Sequence, residues 1–148
     1  MDKTPIVVLA TVFAGGFIAL QAPINAGLGR AVGSIPAASI SFAIGTAALV
    51  AITLLFAGGY GRVGEISGLS WYYLLGGVLG AIYVTTALIA VQTLGAGGVT
   101  AATIAGQLAM SVFLDRVGAF GLEQRGLTPL RVLGVGLLAV GTILVVRE

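Results

Sequence analysis

The sequence contains no cysteine and no histidine. Disulfides, thiolate chemistry, imidazole bases and Cys/His metal sites are therefore unavailable to it. Charge is nearly as scarce: 7 Lys plus Arg and 5 Asp plus Glu make up 8% of 148 residues, against about 25% in a soluble domain. So few charges cannot clothe a surface that faces water. The net charge of +2 is small and scattered, which excludes the basic patch that a nucleic-acid partner needs. No catalytic residue, metal or other cofactor is expected, because no nucleophile–base pair or ligand cluster can be assembled from these residue types.

What the chain has instead is apolar length. Hydrophobic residues form 58% of it, and its 24 glycines lie largely inside apolar runs, where close helix packing uses small residues. A membrane-spanning helix needs about 20 predominantly apolar residues. Asp2 and Lys3 precede Thr4-Pro5, a cap and first helical residue, and Pro5 to Leu28 is uncharged. That run is too long for a signal peptide and is interrupted by Gln21 and Asn25. Gly29 to Gly33 reads as a turn, after which Ser34 and Pro36 restart a helix. Ser70 and Trp71-Tyr72-Tyr73 open the next span, with aromatics at headgroup level. The uncharged run from Ile66 to Leu114 is too long for one span, and Thr93-Leu-Gly-Ala-Gly-Gly98 divides it. Thr128-Pro129 repeats the cap-and-proline start. The expected fold is all-α: one transmembrane domain over 1–148, with five spans near 5–28, 35–57, 71–92, 99–119 and 129–146.

Polar groups inside spans need a reason to exist. Gln21 and Asn25 are four residues apart and share a helix face. Pro23 between them lacks an N–H and leaves the carbonyl of Ala19 without its helical donor. On the fourth span Thr100, Thr103, Gln107 and Ser111 form a stripe that ends one turn before Asp115 and Arg116. Tyr83 lies on a stripe of the third. Gln21, Asn25, Tyr83, Thr103 and Gln107 read as walls of a substrate pathway; the rival reading makes the amides interhelical glue and Tyr83 core packing. Gly76/Gly80 and Ser41/Gly45 are small-xxx-small pairs and read as helix packing. The fifth span has few polar side chains and is given a packing or dimer role, with Arg131 snorkelling from its end.

Five spans place the termini on opposite sides. Lys3, Arg62, Arg116, Arg125 and Arg131 then face Arg30 and Arg147, a bias of five to two that favours a cytoplasmic N-terminus but leaves dual insertion open.

Gln21-x-x-x-Asn25-x-x-Leu28, Pro36 with Ser39-x-Ser41-Phe42 and Gly45, and Gly106-Gln107 ahead of Leu114-Asp115 with Gly118 and Gly121 resemble the YdcZ-type family. This is a small bacterial branch of the drug/metabolite transporter superfamily. The resemblance covers nearly the whole chain. It implies half of a ten-helix transporter, working with a second, oppositely oriented subunit: an antiparallel homodimer or a homologous partner. It also implies the bacterial inner membrane. Asp115 is the one candidate for coupling, and Arg116 directly after it is placed to neutralise it.

No carboxylate lies mid-span, so the central amides and hydroxyls can hydrogen-bond a substrate but cannot titrate near neutral pH. The expected function is transport of a small polar or zwitterionic metabolite. The alternative is a non-transporting subunit that stabilises or regulates a partner membrane protein.

Overall fold

The computed structural model describes residues 4–147. Asp2 and Lys3, read as the head of the first span, and Glu148 lie outside the described residues. Among those described, the chain is helical throughout, with no strand. Four long helices, α1 (Thr4–Val32), α2 (Ser34–Phe56), α3 (Gly76–Val117) and α4 (Pro129–Val146), account for most of it. Each is long and apolar enough to cross a membrane. α3 is broken at Gly95, where φ is 67° and ψ 172°. That backbone region is open essentially to glycine alone, so α3 consists of two limbs, 76–94 and 96–117. The division falls inside the segment expected from the glycine cluster, and the second limb starts a few residues before the predicted 99.

Two helix ends depart from the sequence reading. α1 does not stop at Leu28: it runs to Val32, and Arg30 lies in its last turn. A cation there suits the negative end of the helix dipole. Only Gly33 separates α1 from α2. Its N–H donates to the Gly29 carbonyl at 2.8 Å, and its carbonyl accepts from Ala37 at 3.0 Å. One residue closes one helix and opens the next, which its φ of 89° makes possible. The second departure is at 71–75. Trp71–Leu75 is a 3₁₀ turn, and α-helix begins at Gly76; the Ser70 side chain makes no cap bond. The start of α4 is as read: the Thr128 hydroxyl accepts from the Arg131 N–H at 3.3 Å, with Pro129 in the first turn.

The described chain divides into two compact units, residues 20–89 and the remainder. In unit 20–89, Ala26 and Gly29 of α1, Ala37 and Ala38 of α2, and Val84, Ala87 and Leu88 of α3 are buried. Leu88 is fully covered. A Cβ on Gly29 would stand 3.1 Å from its Cδ2, so this glycine lets α1 and the first limb of α3 approach closely. In the other unit, Gly98 and Val99 are buried, and a Cβ on Gly98 would lie 3.7 Å from Val146 of α4. The long apolar side chains, Phe13, Phe17, Leu55, Phe56 and Leu130 among them, are exposed. A chain with small residues inside and large apolar ones outside is built for a lipid solvent, where helix association rests on close packing rather than on hydrophobic burial.

Candidate functional site

In unit 20–89, α1 carries Gln21 and Asn25 one turn apart. Gln21 is exposed. Asn25 is 5% exposed, and its Nδ2 finds no hydrogen-bond partner among the described residues. A buried, unpaired amide donor costs roughly 1–3 kcal/mol, so Asn25 is held in a state that an acceptor would relieve. Tyr83, on the first limb of α3, is half-buried.

The small-residue pairs divide. A Cβ on Gly80 would stand 3.3 Å from Cζ of Phe42 on α2, whereas Cβ atoms on Gly76 and Gly45 would meet nothing within 4 Å. Ser41 is half-buried. Gly80 therefore seats an aromatic ring from α2, while among the described residues Gly76, the first residue of α3, and Gly45 contribute no close approach.

In the other unit, Thr103 is half-buried and Gln107 exposed. Asp115 is not neutralised by Arg116. Its Oδ2 accepts from Nη1 of Arg131 at 3.2 Å, both side chains being half-buried. Consecutive helical residues point in different directions, so the partner comes from the first turn of α4 instead. Arg131, expected to snorkel, is committed to this pair. The neighbouring loop is tied to the same helix end. The Arg125 N–H donates to the Asp115 carbonyl at 2.8 Å, and Nε2 of Gln124 donates to the Arg116 carbonyl at 2.9 Å. Together these bonds clamp the connection between α3 and α4. In the loop after α2, Arg62 and Glu65 form a two-point pair at 2.7 and 2.9 Å, which holds the guanidinium above its ordinary range.

Among the described residues, two open cavities, closer to surface clefts than to enclosed chambers, lie in the unit that holds α4. The larger, about 620 Å³, is bounded by Ala19, by Ala96, Gly97, Thr100, Ala101 and Ile104, and by Leu138, Gly141, Thr142 and Val145. Of the predicted pathway residues, none lines either cavity. α4, expected only to pack, supplies a wall of both. Gly141-Thr142 in its apolar run was the available sign, since a small residue leaves the room and a hydroxyl supplies local bonding. Oγ1 of Thr142 reaches the carbonyls of Ala101 at 3.0 Å and Leu138 at 2.9 Å, which staples α4 to the second limb of α3.

A family model described as "Putative inner membrane exporter, YdcZ" matches residues 6–144. The chain belongs to the YdcZ family. The match takes in all of α2 and α3 and all but the first two residues of α1 and the last two of α4. Comparison with curated proteins gives no match, and comparison with solved structures gives none either. A YdcZ chain with these legs is a multi-pass membrane protein, and the family's description accords with transport rather than catalysis.

Proposed function

We propose that this protein is a bacterial inner-membrane transporter subunit of the drug/metabolite type. It moves a small polar or zwitterionic metabolite through a cavity between two oppositely oriented subunits, as an antiparallel homodimer or with a homologous partner. Gln21, Asn25, Tyr83, Thr103 and Gln107 line the route. The observation that carries this reading is the Asn25 amide, buried in a span with an unused donor. A substrate carbonyl, carboxylate or hydroxyl supplies the missing acceptor. The exposed amides of Gln21 and Gln107 support it, because a polar side chain on a span calls for a polar cavity or a partner subunit rather than lipid.

Asp115 fits a structural role better than a coupling role. Proton carriage through it would require its release from Arg131, and breaking a half-buried ion pair leaves an uncompensated charge. Transport by exchange or facilitation needs no such step. The test is a thermal-shift screen of metabolites on the purified protein, repeated with Asn25→Leu. The reading expects at least one polar metabolite to stabilise the wild type, and the shift to shrink in the variant. Stabilisation by the same compounds to the same extent in both proteins would remove Asn25 from the site.

A further inference from the structure

The smaller cavity, about 440 Å³, is bounded by Leu94, Ala102, Thr142, Ile143, Val146 and Arg147. Four of these six are apolar. Thr142 has one hydroxyl proton, and the two carbonyls within its reach already compete for it. The one charged side chain that bounds it is Arg147. It caps the C-terminal end of α4, with its backbone N–H donating to the Ile143 carbonyl at 3.2 Å. Its guanidinium has no ion-pair partner among the described residues. The end of a spanning helix lies at the headgroup level of a bilayer, and below it the cavity is walled by residues of spanning legs.

An apolar cavity with a single guanidinium at its membrane-edge end calls for a ligand with a hydrocarbon body and an anionic head. Guanidinium matches phosphate oxygens in a two-point geometry. We infer that this cavity binds an anionic phospholipid, one acyl chain lying among Leu94, Ala102, Ile143 and Val146 and the phosphate on Arg147. A free phosphate would make no use of the apolar walls. The site is separate from the proposed substrate route, none of whose residues lines it.

The probe is phosphatidylglycerol against phosphatidylcholine of the same acyl chains, with retention on the detergent-purified protein read by native mass spectrometry. One arginine at a membrane surface gives roughly fivefold preference for the anionic lipid, and that preference is expected of the wild type. Arg147→Gln should abolish the preference and Arg147→Lys should keep most of it, with melting in lipid-free detergent confirming that both are folded. Ala102→Phe or Ile143→Trp, whichever folds, should lower retention of both lipids by filling the cavity. Glu148 follows Arg147 in the sequence, and Glu148→Gln should raise the preference by removing an opposing charge. Equal retention of the two lipids by the wild type, or an unchanged preference in Arg147→Gln, would overturn the assignment. So would displacement of the lipid by millimolar inorganic phosphate, which marks a bare anion site, or undiminished retention in a folded cavity-filling variant.

Discussion

Asn25→Leu separates a pathway residue from a structural one. Leucine has the same branched four-atom side chain as asparagine, so the shape at this buried position is kept while the donor is removed. The Asn25 Nδ2 is buried without a partner among the described residues, a cost of roughly 1–3 kcal/mol. Leucine removes that cost, and it suits a membrane helix. At about 2–4 °C per kcal/mol for a chain of this size, the melting temperature in detergent should rise by roughly 2–12 °C. Transport should move the other way. The substrate loses one buried hydrogen bond, again roughly 1–3 kcal/mol, or about five- to 150-fold in initial rate at low substrate concentration. The assay pairs melting with initial flux per folded molecule in liposomes. A variant that melts lower than wild type, and whose flux falls only in step with the folded fraction, would refute this reasoning. In that case the amide is interhelical glue.

Further outcomes follow from the geometry. Gly95→Ala should destabilise by roughly 1–3 kcal/mol, since only glycine is at ease at φ 67°, ψ 172°; denaturant titration measures it. Gly80→Leu should lower stability by roughly 1–3 kcal/mol through its clash with Phe42, whereas Gly76→Leu should leave the isolated chain unchanged; if the Gly76 variant elutes as a smaller species, Gly76 lies at a subunit interface. Asp115→Asn and Arg131→Gln should each destabilise, and the double variant by less than their sum, with a coupling of roughly 0.5–3 kcal/mol in a double-mutant cycle. Cysteines introduced singly at Ser67 and Ala96, in a chain that has none, should both react with an external thiol reagent if insertion is dual. Labelling at one position alone, without an oppositely oriented partner, contradicts the antiparallel homodimer.

The spans were legible because composition decides them: a chain with 8% charged residues and uncharged runs of this length has few alternatives to crossing a membrane. The break in α3 was legible to within a few residues, and its place at Gly95 was not, because several neighbouring glycines compete for one left-handed position. Gly29 to Gly33 reads as a turn in the sequence, whereas α1 continues through Arg30 to Val32, because a cation belongs comfortably in a last helical turn and Gly33 alone makes the turn. The partner of Asp115 was misread for a different reason. Adjacency in sequence suggested Arg116, yet neighbours on a helix diverge, and Arg131 arrives from 16 positions away. The burial of Asn25 against the exposure of Gln21 was beyond the sequence, since four residues apart they share a face and only the packing of α2 and α3 tells them apart. The cavities along α4 were likewise hidden, because an apolar helix with few polar residues looks the same whether its small residues pack or leave space.

The central claim is that this chain carries a metabolite across a membrane. Its most direct test is reconstitution of the purified protein alone into liposomes loaded with a metabolite that stabilises it, followed by counterflow of the labelled compound. The account predicts saturable uptake with wild-type protein and its loss with a folded Asn25→Leu variant. Absence of flux for every stabilising compound, together with co-purification of another membrane protein in fixed ratio, would contradict it and make the chain a non-transporting partner subunit.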